Sequence, residues 1–166
     1  MPFPEASFDA VILECSLSVI LMQEFLAADP GALDTLRVLQ EARRVLRPAG
    51  WLLLSDLYAR RPEGIPALRA LPGASCLRGI LDLAAVQDAL QALGVEICFW
   101  EDHSEALRQL NSRLCQAYGS AQAFLDQALG EPIDAFDLTL RIGRAKPGYF
   151  ILLARKNARH LSSDVA

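Results

Sequence analysis

Phe8-Asp9-Ala10-Val11-Ile12-Leu13-Glu14-Cys15 is an almost continuously apolar run, and its reading decides the fold. Such a run fits a strand inside a sheet whose two faces are both covered by helices. Residues 16–32 read as a loop with a short helix, closed by Asp29-Pro30-Gly31. Leu36, Leu39, Ala42 and Leu46 then recur at helical spacing over 33–46, with Val38 and Val45 widening the apolar stripe. Pro48 and Gly50 end that helix and turn the chain into a second strand, 51–57, which carries Trp51-Leu52-Leu53-Leu54-Ser55-Asp56. Strand, helix and strand in this order predict an α/β architecture.

Farther along, residues 59–80 are loop-like, with Pro62, Gly64, Pro66, Pro72 and Gly73. Connections this long are often functional. Asp82 is placed to cap a helix whose Leu83, Val86, Leu90 and Leu93 share a face, and Gly94 stops it. Val95 to Trp100 reads as a third strand. A helical insertion over about 103–145 follows, in three patterns. The first carries Leu107, Leu110, Leu114 and Tyr118; the second, Phe124, Leu125, Ala128 and Leu129; the third runs from Ile133 to Ile142. Pro147-Gly148 leads into the last strand, Tyr149 to Ala154. One domain over 1–156 with a polar tail over 157–166 is the expected organisation.

The formal charge of −4 over 166 residues leaves no basic excess to neutralise phosphates, so a nucleic-acid-binding surface is not expected. Glu14, Glu24 and Asp29 interrupt the most apolar region, and no membrane-spanning stretch is read. The opening Met-Pro-Phe-Pro-Glu-Ala-Ser lacks the basic start and apolar run of a secretory signal, which points to the cytoplasm. A hydrophobic fraction of 52% suggests apolar surface that an interface would hide. Cys15, Cys76, Cys98 and Cys115 are widely spaced and form no CxxC pair, so no structural metal site is expected and the thiols are read as reduced.

Two stretches then carry a family resemblance. Pro2-Phe3-Pro4-Glu5-Ala6-Ser7-Phe8-Asp9-Ala10-Val11 resembles the "PFPDxSFDxV" segment of class I S-adenosylmethionine-dependent methyltransferases. Glu41-Ala42-Arg43-Arg44-Val45-Leu46-Arg47-Pro48-Ala49-Gly50 is similar to their "E-x-x-RVLRPGG" helix end, with Ala49 in place of the first glycine. A finer likeness lies in Leu54-Ser55-Asp56-Leu57-Tyr58 and Cys76-Leu77-Arg78-Gly79-Ile80, which resemble the "SDVY" and "C-L-x-G" segments of the arsenite-methyltransferase-like group. The resemblance implies a partial doubly wound, Rossmann-like sheet of about four strands. These are the equivalents of family strands 4-5-7-6, with helices on both faces. It also implies that the family's glycine-rich cofactor turn is missing, since the chain opens at the equivalent of strand four.

By this resemblance Pro2, Phe3, Cys15, Ser16 and Leu17 form one wall of a crevice for S-adenosylmethionine at the strand ends. Asp56, Tyr58 and Cys76 would meet a small methyl acceptor. Read from the residues, a Cys76 thiolate would bind a soft electrophile if neighbouring Arg78 or Arg69 lowers its pKa. The group's other substrate cysteine, just before the last strand, has no counterpart in 141–149. His103 reads as part of a strand-to-helix junction. The functional expectation is a methyltransferase-like protein that binds little cofactor as an isolated chain. Two other roles stay open: a non-catalytic module that dimerises through the edge strand 8–15, and one half of a split enzyme whose partner chain carries the missing half.

Overall fold

The computed structural model describes residues 3–26, 35–73, 75–129 and 133–158. Four strands form its sheet: β1 (Phe8–Glu14), β2 (Leu46–Ala59), β3 (Val95–Asp102) and β4 (Pro147–Lys156), in the spatial order β1-β2-β4-β3. β1 runs parallel to β2, with Ala10 opposite Trp51 and Glu14 opposite Ser55. β4 is antiparallel to both β2 and β3. This is the α/β class and the strand order that the resemblance implied.

Around the sheet lie α1 (Leu17–Leu26), α2 (Thr35–Val45), α3 (Ile65–Arg69), α4 (Leu83–Ala92), α5 (Ser104–Ala117), α6 (Ala121–Leu129) and α7 (Ala135–Ala145). Period-2 alternation sends Leu52, Leu54, Phe150, Leu152 and Ala154 into one core with Leu17 and Leu21 of α1, Leu39 and Ala42 of α2, and Val86 and Leu90 of α4. A second core joins Ile65 and Leu68 of α3 to Ile80, Leu138 and Ala145. Asp82 caps α4 by accepting the Ala84 amide at 3.0 Å. Asp134 caps α7 in the same way through the Phe136 and Asp137 amides.

Several boundaries differ from the sequence reading. α2 stops at Val45, and β2 begins at once with Leu46, which pairs with Phe8 of β1, while the Lys156 ammonium donates to the carbonyls of Arg43 (2.9 Å) and Leu46 (2.6 Å). That cation satisfies carbonyls the helix end leaves open. The segment 59–80, expected as loop, contains a single-turn helix at Pro62–Gly64, then α3, and another at Cys76–Gly79. The turn expected at Asp29-Pro30-Gly31 and most of the polar tail lie outside the described residues.

β1 sits at an edge of the sheet. Its Ile12 is 65% exposed, in register with half-buried Leu53 on a face where Trp51 and Phe99 also reach the surface. Among the described residues no helix is long and apolar enough to cross a membrane.

Candidate active site

The carboxyl ends of the parallel pair β1 and β2 meet at Cys15 and Asp56. Cys15 takes a left-handed conformation, φ +46°, which a side chain adopts at a cost of about 1–2 kcal/mol. The turn is held on one side by the Cys15 amide, which donates to the Ser55 carbonyl at 2.8 Å. On the other side the Ser16 carbonyl accepts from Ile20 at 2.9 Å as α1 starts. A strained residue at a strand end, over-determined by its surroundings, is a mark of functional sites. Its thiol is exposed.

Asp56 has no exposed surface. Its carboxylate accepts the Ser18 amide at 2.9 Å and the Leu57 amide at 2.7 Å. Burial raises its pKa, while hydrogen bonds from Ser18 and Leu57 pull the other way. The side chain thus caps α1 from a neighbouring strand, completing open amides of the first turn.

The Cys76 turn docks against that same first turn of α1. Ser75 starts it by accepting the Leu77 amide at 3.3 Å. Arg78 is spent on loop carbonyls, Gly73 at 2.9 Å and Arg69 at 3.2 Å. Arg78 therefore does not meet the condition of lowering the Cys76 pKa. Cys76 is exposed at the surface, yet desolvation of its thiol pushes the pKa up, and the nearby Asp56 carboxylate pushes it the same way. Cys15 and Cys76 thus flank α1 near the same end of the sheet, each within electrostatic reach of the other. Among the described residues no group of three His, Cys, Asp or Glu side chains is placed to hold a metal ion.

Tyr149, at the start of β4, closes the crevice from a third strand. Its hydroxyl accepts from the Cys15 thiol at 3.7 Å. Burial raises the phenol pKa, Ser55 opposes this, and Cys15 and Glu14 add to the rise.

The structure brings Cys15, Ser16, Asp56 and Cys76 to one end of the sheet, but Phe3 is not there. The Phe3 ring meets Phe8 edge-on at 5.1 Å, at the opposite end of β1. A seven-residue strand, about 20 Å long, separates it from Cys15. Phe3 and Cys15 therefore do not form one wall. Pro2 lies outside the described residues. Leu17 is fully buried in the core. Tyr58 is 6% exposed, its ring edge-on to Phe150 and Trp100, and its hydroxyl faces Ser104 and Asp102. Tyr149, Glu14 and Gly79 escaped the sequence reading as site residues. Gly79 alone had a local signal, as the last residue of Cys76-Leu77-Arg78-Gly79.

With this geometry in view, residues 1–54 match the family model described as a methyltransferase domain. That segment is similar in sequence to a methyltransferase domain. A 27-O-demethylrifamycin SV methyltransferase of Amycolatopsis mediterranei (strain S699) is 30% identical to it, over 94% of this chain and 55% of the relative. Among solved structures, the 4+2 cyclase SpnF superposes with a TM-score of 0.58 at 23% identity, over 96% of this chain and 54% of that one. A geranyl diphosphate methyltransferase in complex with S-adenosylmethionine gives 0.53 at 11% identity, over 94% and 54%. The chain thus spans about half the length of the curated relative and of these two structures.

Proposed function

We propose that this chain supplies the acceptor side of an S-adenosylmethionine-dependent methyl-transfer site, for a small molecule with a soft, thiol-seeking centre. The observation that carries the reading is the placement of the exposed Cys15, and of the Cys76 turn seated on the first turn of α1, at the carboxyl ends of β1 and β2, where ligands bind in open α/β sheets. Soft ions and electrophiles select thiolate ligands, and two thiols hold such a centre better than one. The sequence alone offered one thiol, Cys76, for the arsenite-type acceptor; an exposed Cys15 at the same end of the sheet supports a second. Methyl transfer from a sulfonium needs positioning and exclusion of water more than a strong base, so a buried Asp56 suits the task as an anchor.

The fit to the cofactor is partial. Of the expected contacts, Cys15 is exposed and Ser16 half-buried at the carboxyl end of β1, whereas Leu17 is buried and Phe3 is remote. The supported role is therefore acceptor binding, with S-adenosylmethionine held weakly by this chain alone. Trivalent arsenite titrated into the chain, with Cys15 and Cys76 followed by thiol labelling, tests this. Mutual protection of both thiols is expected, and it is lost in either Cys15→Ser or Cys76→Ser. Labelling of both at undiminished rates under saturating arsenite would sink the reading. Calorimetry with S-adenosylmethionine should give at most weak binding.

A second reading, assembly, is favoured by the open edge of β1. Antiparallel pairing of two copies centred on Val11 sets Phe8 against Glu14 and Asp9 against Leu13, so no like charges face each other. A two-fold dimer through this strand would cover Ile12. Light scattering should then show a dimer that Ile12→Lys converts to monomer; a wild-type monomer at micromolar concentration excludes this contact.

A further inference from the structure

We infer that Tyr149 is a positioning residue that fixes the orientation of the Cys15 thiol at the crevice mouth. The inference deepens the acceptor-site reading above, and it rests on that reading for any consequence in turnover. The thiol donates to the Tyr149 hydroxyl at 3.7 Å, across 134 residues of sequence. Cys15 lies on a left-handed turn, where a short side chain has few backbone-compatible directions. The phenol therefore decides which of them the sulfur takes.

Tyr149 is itself pinned on both backbone groups. Its amide donates to Ser104 Oγ at 3.3 Å, and its carbonyl accepts from the His103 amide at 2.7 Å. Ser104 is anchored in turn on the Asp102 carboxylate through its amide at 2.8 Å and through its hydroxyl. The junction between β3 and α5 thus buttresses the phenol from behind. Ser55 faces the phenol from β2, and the Cys15 backbone is bound to Ser55. Three strands hold one thiol. His103, read from sequence as a junction, is part of this support through its amide.

Tyr149→Phe keeps the ring and removes only the oxygen. In the full chain, iodoacetamide labelling with site-resolved mass spectrometry should show Cys15 reacting about threefold or more faster in the variant, as the loss of one hydrogen bond allows. Cys76 and exposed Cys98 should keep their wild-type rates. A merely structural role would loosen the crevice and move Cys15 and Cys76 together, leaving their ratio unchanged, and that result would overturn the inference. So would an unchanged Cys15 rate. If Tyr149→Phe fails to fold, Cys15→Ala gives the reciprocal reading. The Tyr149 phenol, followed by its ultraviolet titration, should then ionise at lower pH than in the wild type, and an unmoved phenol rejects the contact. Arsenite protection tests the acceptor site separately, so the two ideas fail independently.

Discussion

Gly79 lies so close to Ser18 that a Cβ built on it would stand 1.8 Å from the Ser18 carbonyl oxygen and 2.8 Å from the Met22 amide nitrogen. The obstructing atoms are helix backbone and cannot swing aside. This contact seats the Cys76 turn on α1, beside Asp56. Gly79→Ala should destabilise the fold by about 2–3 kcal/mol through overpacking. It should also lift the turn, so that Cys76 is labelled faster. Urea unfolding checks the first part as a lower midpoint at unchanged slope; an unshifted midpoint with unchanged labelling would show that the turn is seated otherwise.

Ala49 has φ +62°, a left-handed conformation that favours glycine. It stands where the resembling family segment carries the first glycine of its pair. The strain of about 1–2 kcal/mol is relieved by glycine, and the greater freedom of glycine in the unfolded chain offsets part of that. Ala49→Gly should therefore stabilise by roughly 0.5–1 kcal/mol, seen as a higher Tm. A lower Tm would mean that the alanine methyl makes a compensating contact.

Lys156 is 9% exposed, and its ammonium closes the end of α2 through the Arg43 and Leu46 carbonyls. Burial pushes its pKa down, so holding the charge there has an energetic penalty that the two hydrogen bonds offset. Lys156→Met keeps the length and loses the donors. Two carbonyls left short of partners should lower stability by about 1.5–3 kcal/mol in chemical denaturation. Equal stability of the two proteins would assign the end of α2 to other forces.

Asp56 gives a dependence on pH. Its pKa is raised by burial, so between the ordinary carboxylate value and the raised one the folded chain binds the extra proton. Its contribution to stability is complete below the ordinary value and is lost as pH rises through the folded one. Asp56→Asn does not titrate. The stability of the wild type relative to this variant should accordingly fall as pH climbs from about 4, then level off. Unfolding at a series of pH values measures it, and a difference that stays constant across the series refutes it.

The same variant reaches Cys76. Removing the Asp56 charge takes away one of the causes that push this thiol up. The pH profile of Cys76 alkylation should move to lower pH in Asp56→Asn, while that of distant Cys98 stays in place. A profile that does not move would separate the two groups electrostatically.

Much of the scaffold was legible because its signals are local. Asp82 and Gly94 bracket α4 through contacts within a few residues, and the apolar stripe of α2 needs only the helical period. The strand order followed from two short segments of family likeness. The early start of β2 was missed because it rests on the pairing of Leu46 with Phe8 of β1, a contact between residues far apart in the sequence. Arg78 was misjudged for a similar reason: proximity in sequence to Cys76 says nothing of where a long side chain finds carbonyls.

By itself, the sequence determined the α/β class and most of the helical and strand segments. Each of these rests on periodicity, caps and turns that neighbouring residues establish. Only the tertiary structure decided which side chains meet. It put Tyr149 on the Cys15 thiol, withdrew Asp56 into a cap for α1, and left Phe3 at the far end of β1. The reason is the register of β1 on β2 and of β2 on β4: shifting a strand by one residue turns every side chain to the other face, and long-range pairing alone chooses between the two.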